Sequence, residues 1–156
     1  MITTEKIHHV GIPVSDLERS MAWYADVLGV VAVGISGAGS GEGLSQMLEV
    51  PGAALRAAFV KVGEHTMFEL LEWSSPVSTP YALTNSDIGA VHICFEVDDI
   101  LAAHEQLEAK GVHINHAPVS LDGTGGDLDG YWFCYFRDPD GTQLELMQVP
   151  KAGSEV

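Results

Sequence analysis

Positive charge is scarce in this chain: 7 Lys and Arg stand against 22 Asp and Glu, a formal net charge of −15. That shortage argues against nucleic acid as a partner, because affinity for a phosphate backbone comes from lysine and arginine. It also counts against a large polyanionic substrate, unless a local patch around Arg56 or Arg137 overrides the net figure. Cysteine is nearly absent. Cys94 and Cys134 sit singly in apolar stretches, so we expect a reduced interior pair, no disulfide framework, and the cytosol as the default compartment. No apolar run approaches transmembrane length and residues 1–6 do not read as a signal peptide, so no membrane partner is expected. Histidine is plentiful by contrast. There are seven, as many as Lys and Arg together, a first sign of metal or proton chemistry.

At 156 residues the chain has the length of one compact domain, or of two small modules fused into one. Residues 7–14 (IHHVGIPV) read as a short strand containing His9. Ser15 and Glu18 have capping-box spacing, and Leu17, Met21, Tyr24 and Leu28 follow at helical intervals until Gly29. Residues 30–35 read as a strand and the glycine-rich 36–43 as a flap or surface loop, with no phosphate-binding motif. Two further strands, 54–62 and 66–73, flank a turn at Gly63 and Glu64, and the second carries Glu69. The polar, proline-containing residues 75–87 read as a linker between modules at 1–74 and 88–149.

After the linker the order repeats. A strand at 90–97 holds His92, and Asp98 caps a helix in which Ile100, His104 and Leu107 keep helical spacing until Gly111. A short strand at 112–116 and a second glycine-rich loop at 121–130 come next. Strands at 131–136 and 142–149 then flank the turn Asp138-Pro139-Asp140-Gly141. Residues 150–156 read as a frayed tail. Laid over each other, the halves agree: His9 with His92, Val14 with Val97 and Asp16 with Asp99 all coincide at an offset of 83. TMFEL at 66–70 matches TQLEL at 142–146 at an offset of 76, aligning Glu69 with Glu145. The expected fold class is therefore α+β, two βαβββ modules, each with a histidine on its first strand and a glutamate on its last.

Apolar residues on both faces of 142–149 imply that Glu145 is buried, which is costly unless something pairs with it. Modules packed about a pseudo-twofold would bring His9, Glu69, His92 and Glu145 to one point. Imidazole nitrogen and carboxylate oxygen suit a first-row divalent metal, and four such ligands leave positions open for water or substrate. The other candidates read as less chemical. His8 is expected on the face opposite His9, and His65, His104, His113 and His116 read as structural. Glu42 and Glu49 read as solvated, and Ser15 as a cap with no nucleophile elbow around it. Trp132 and Tyr135 are candidates for lining a substrate pocket.

These residues resemble the pattern of the vicinal oxygen chelate superfamily, which includes glyoxalase I, methylmalonyl-CoA epimerase, extradiol dioxygenases and bleomycin- and fosfomycin-resistance proteins. The resemblance spans residues 7–149 and rests on HHVGIPVSDLERSMAWYADVLG, VHICFEVDD and DPDGTQLEL. It implies that the two modules curl into a barrel-like mixed sheet around one divalent ion (Ni, Zn, Co, Mn or Fe) held by His9, Glu69, His92 and Glu145. It further implies a metal-dependent isomerase or lyase that moves a proton next to a carbonyl through an enediolate. Glu145 would be the base and Glu69 the group that returns the proton. A small substrate with neighbouring oxygens and a homodimer are expected, the modules pairing within one chain or exchanged between two. Residues 135–145 also fit the tail of the extradiol signature, but the histidine expected shortly before that tyrosine is missing from residues 124–130. An extradiol-type ring-cleaving dioxygenase and a metal-free, resistance-type binding protein are the alternatives.

Overall fold

The computed structural model of the protein describes residues 1–64, 66–80 and 83–151, without the side chain of Ser36. His65, two linker positions and residues 152–156 of the expected tail lie outside the described residues. Contacts divide the chain into two compact units, Met1–Pro80 and Tyr81–Val156. The first contains β1 (His9–Val14), α1 (Leu17–Leu28), β2 (Val31–Ser40), α2 (Glu42–Leu48), β3 (Ala54–Val62) and β4 (Thr66–Ser75). The second contains β5 (Ile93–Glu96), α3 (Ile100–Ala109), β6 (Val119–Ser120), β7 (Trp132–Arg137) and β8 (Gln143–Gln148). Each unit builds its own open four-stranded sheet, ordered β1-β4-β3-β2 and β5-β8-β7-β6, and the sheets do not close into a barrel. In both, the first strand runs parallel to the last while the remaining pairings are antiparallel. The chain is thus α+β with mixed sheets. Among the described residues no helix is long and apolar enough to cross a membrane.

The repeat shows in how each helix starts. Asp16 caps α1 by accepting from the Arg19 amide at 2.8 Å, and Asp99 caps α3 by accepting from the Ala102 amide at 3.0 Å. The expected caps, Ser15 and Asp98, each stand one residue too early. A cap must be the last extended residue, whose side chain reaches an amide three positions on. Ser15 instead accepts from the Arg19 guanidinium at 3.0 Å. The next orphan amide of each helix is also met in parallel fashion. Leu17 donates to Glu72 Oε2 at 2.9 Å, and Ile100 donates to Gln148 Oε1 at 2.8 Å, in both cases a side chain near the end of the last strand. Gly29 closes α1 in the left-handed region at φ 64°, as glycine does at this position.

Each sheet buries one face under its helix. In the first unit Leu17 and Tyr24 of α1 are buried with Val60, Phe68 and Leu70, the Tyr24 and Phe68 rings meeting edge-on at 6.0 Å. In the second, Ile100 and Leu107 of α3 are buried with Cys134, Phe136, Leu144 and Leu146.

Three expectations need correction. The glycine-rich 36–43 is no flap, since β2 continues to Ser40 with bulges between Ala32/Gly34 and Ile35/Gly37. Gly34 and Gly37 hold φ of 140° and 119°, backbone that side-chain-bearing residues avoid, so glycines here bend the strand rather than end it. The short helix α2 that follows was hidden by Gly41 at its cap and Gly43 in its first turn; it is held by Ser45, which donates to Gly41 O at 3.1 Å and accepts from Ala53 N at 3.0 Å. Residues 112–116 form only a single bridge, Ile114 to Phe136, and the edge strand comes later as β6. Finally His92 stands just ahead of β5 instead of within it.

The turn after β7 forms as expected, around Asp138. Its Oδ1 accepts from the Asp140 amide at 2.9 Å and the Thr142 amide at 2.7 Å, and the residue is 5% exposed. Asp138→Ala should cost about 1–3 kcal/mol by orphaning those amides. Thermal denaturation should show a lowered Tm, and Asp138→Asn, which keeps an acceptor oxygen, should lose less.

Candidate functional site

The site follows from strand register. Parallel pairing of β1 with β4 sets Gly11 opposite Glu69, so His9, two residues before Gly11, shares a face with that glutamate. In the second unit Cys94 stands opposite Glu145, and His92 again lies two residues earlier. Antiparallel pairing then adds an aromatic neighbour, Phe59 opposite Glu69 and Tyr135 opposite Glu145. One construction is made twice.

Side-chain geometry repeats as well. His9 Nε2 lies 3.3 Å from Glu69 Oε2, and His92 Nε2 lies 3.0 Å from Glu145 Oε2. Phe59 meets His9 edge-on with centroids 5.7 Å apart, and Tyr135 meets His92 the same way at 5.3 Å. Both histidines are open to solvent. The carboxylates differ: Glu69 is half-buried, whereas Glu145 is only 5% exposed. Among the described residues no lysine or arginine forms an ion pair with either.

The copies are not identical. Cys94 replaces Gly11 and is exposed, not the interior residue expected; Cys134 is buried, and both thiols are free. Although residue 94 is exposed as a whole, withdrawal of its sulfur from water, reinforced by the Glu145 carboxylate, pushes the thiol up to about 12. Tyr135 replaces Phe59. Burial, then the neighbouring Glu145 carboxylate, pushes the phenol up to about 12. His8 does not face away from His9, because it precedes β1, where strand alternation does not apply. Its Nδ1 lies 2.8 Å from His9 Nδ1, and its ring sits edge-on to Phe59 at 6.4 Å.

A cavity of about 420 Å³ opens on the second unit, walled by Val119, Leu121, Leu128 and Phe133 and reaching Tyr135 and Glu145. Trp132 is not among the residues that line it, whereas Phe133, Cys134 and Tyr135 are. His116, expected to be structural, does line it, with Nδ1 2.9 Å from its neighbour's carbonyl. His104 lies 3.7 Å from Glu108 one turn on along α3, and Glu42 accepts from Gln46 at 2.9 Å on α2. The two arginines singled out in the sequence have partners of their own. Arg56 spans Glu18 and Glu72, which hold its guanidinium firmly charged, and Arg137 donates to Gly141 O at 2.8 Å.

Phe59, Leu128 and Phe133 were missed in the sequence. For Phe59 a signal existed, since the offset of 76 that aligns the glutamates also sets Phe59 on Tyr135. Leu128 sits in a glycine-rich loop and carries no such mark.

Each His–Glu pair has the spacing of two neighbouring ligands on one ion. Neighbouring ligands at right angles on an ion with bonds of roughly 2.1 Å stand about 3.0 Å apart, close to the separations seen. Each pair supplies two donors, and among the described residues no group of three or more His, Cys, Asp or Glu side chains is gathered to hold an ion.

Comparison with known proteins gives a consistent answer. Residues 6–146 match the family described as the Glyoxalase/Bleomycin resistance protein/Dioxygenase superfamily. The chain is 33% identical to 2-epi-5-epi-valiolone epimerase of an Actinomyces species, over 92% of this chain and 79% of that protein. It is 29% identical to mouse mitochondrial methylmalonyl-CoA epimerase, over 92% of this chain and 73% of that one. A crystal structure of a glyoxalase family protein from Bacillus cereus superposes with a TM-score of 0.79 at 18% identity, covering 94% of this chain and 95% of the other, which shows a shared fold.

Proposed function

Because the chain belongs to the Glyoxalase/Bleomycin resistance protein/Dioxygenase superfamily and has epimerases among its relatives, we propose that it is an isomerase moving a proton on a carbon next to a carbonyl. One observation carries this reading: a carboxylate, Glu145, only 5% exposed, lies at an apolar cavity beside an imidazole and without a cationic partner among the described residues. Such a group needs to shed little water to reach a substrate C–H. Tyr135 stands opposite it between β7 and β8 and His92 Nε2 lies 3.0 Å away, so the carboxylate is flanked by two neighbours. Glu145 removes the proton. Glu69, its counterpart in the repeat, is assigned to return a proton for inversion. The two His–Glu pairs are proposed to ligate a divalent ion, which when bound would stabilise negative charge developing on the substrate oxygens.

The test is isotope exchange. Purified protein in D2O, incubated with a simple α-hydroxy ketone such as hydroxyacetone, should replace the hydrogen next to the carbonyl, followed by proton NMR. Absence of exchange with hydroxy ketones, hemithioacetals and acyl thioesters alike would remove the proposal. Uptake of oxygen with a catechol would favour ring cleavage in its place.

A further inference from the structure

Asn115 and His116 both line the cavity on the second unit, and their neighbours fix the sense of the hydrogen bonds they can offer it. His116 Nδ1 lies 2.9 Å from the Ala117 carbonyl, and a carbonyl oxygen only accepts, so Nδ1 carries the hydrogen. The neutral ring is then left with Nε2 as an acceptor. Asn115 is oriented by the same logic one step removed. Gln143 Nε2 donates to two backbone carbonyls, Phe136 O at 2.9 Å and Leu144 O at 3.2 Å, so Gln143 Oε1 is an acceptor. Asn115 turns its Nδ2 to that oxygen at 3.2 Å and keeps Oδ1 as the acceptor it can offer a ligand. Both residues are held against β7. The Asn115 amide donates to Tyr135 O at 2.9 Å, and the Cys134 thiol lies 3.6 Å from His116 O. Tyr135 pairs with Glu145 on its other side, so the two acceptors stand two strand spacings, roughly 10 Å, from the strand of Glu145. The rest of the wall is largely hydrocarbon, from Val119, Leu121, Leu128 and Phe133.

We infer that this cavity takes a hydroxylated carbonyl compound: the carbonyl end lies at Glu145, and a hydroxyl farther along the molecule donates to His116 Nε2, with Asn115 Oδ1 as the second acceptor. The carbon–hydrogen faces between those ends lie on the hydrocarbon wall. Placement of the carbonyl end rests on the proton-transfer reading. The hydroxyl and its partners rest on the wall alone, and they stand whether or not Glu145 carries an ion. A tail ending in a carboxylate or phosphate would meet acceptors where it needs donors.

Calorimetry on the purified wild-type protein decides the matter by comparing two series of ligands. One consists of straight-chain α-hydroxy ketones of increasing length, and the other of the same ketones with a further hydroxyl at the far terminus. The shortest pair should bind alike, because its far end does not reach His116. In the longer pairs the added hydroxyl should tighten binding roughly twofold to tenfold, the net worth of one hydrogen bond. His116→Phe should remove most of that ratio while leaving the parent ketones little changed, and His116→Gln, which retains an acceptor oxygen, should keep part of it. Leu128→Ala should weaken both series together and leave the ratio intact. His116 and Leu128 are exposed, so the variants should fold, which circular dichroism checks. Equal affinity for the two series at every length, a ratio unchanged in His116→Phe, or tighter binding of a terminal carboxylate than of the terminal hydroxyl would overturn the inference. Exchange in D2O, run on the same samples, separates the two claims. A hydroxyl advantage without exchange sustains the acceptor site and removes proton transfer; exchange without that advantage does the reverse.

Discussion

Glu145→Gln should lower kcat for proton exchange by about 10² to 10⁴, the usual worth of a positioned general base. Glutamine fills the same volume, and a buried amide beside the Tyr135 hydroxyl and the His92 imidazole still finds hydrogen-bond partners. The variant should therefore fold with a Tm near that of the parent. Metal content, measured by elemental analysis, should be only partly reduced, because an amide oxygen can still act as a weak ligand. Those two controls separate loss of the base from loss of the site. Turnover within tenfold of the parent would take the role away from Glu145. Glu69→Gln provides the companion measurement. If Glu69 returns the proton in inversion, a chiral substrate should still exchange with D2O on one face while losing epimerisation, a split that damage to the fold would not produce.

Stripping the protein of divalent ions should be the other large effect. Dialysis against a chelator should reduce exchange to background, and one of nickel, zinc, cobalt, manganese or ferrous iron should restore it. Binding of the ion to the folded state alone should raise stability, by about 2.7 kcal/mol when the free ion is at a hundred times its Kd, so Tm should climb on titration. His9→Ala and His92→Ala should each weaken metal binding by roughly tenfold or more, as loss of a ligand exceeds the effect of losing a group behind one. His104→Ala, on α3 against Glu108, should change neither metal content nor turnover. A chelated protein that still turns over at full rate, and shows no Tm response to any of these ions, would end the metal assignment.

The repeat was legible because it is written in residues whose spacing is kept. Offsets of 83 and 76 aligned His9 with His92 and Glu69 with Glu145, and they also aligned Asp16 with Asp99, which cap the two helices. The capping residues were nonetheless misplaced by one, since Ser15 and Asp98 are equally good cap chemistry. The choice depends on which residue is the last to stay extended. The glycine-rich stretch at 36–43 misled for a related reason. Glycine marks loops and bulges alike, and pairing with β3, which runs as far as Ser40–Ala54, is what makes its first part strand, while its end opens α2.

From the sequence alone came the α+β class, the duplicated order of elements, the shortage of positive charge, and the two histidines and two glutamates that carry the proposed chemistry. All of these depend on residue identity and on spacing along the chain, which a linear reading contains. Tertiary structure decided which residues meet: that each histidine rests on the glutamate of its own unit, that Phe59 stands behind one pair and Tyr135 behind the other, that Glu145 is more deeply buried than Glu69, and that Leu128 helps wall a cavity. Those facts are set by hydrogen-bond register between strands and by packing across a sheet. Such neighbours are distant in sequence, and no local preference of the residues names them.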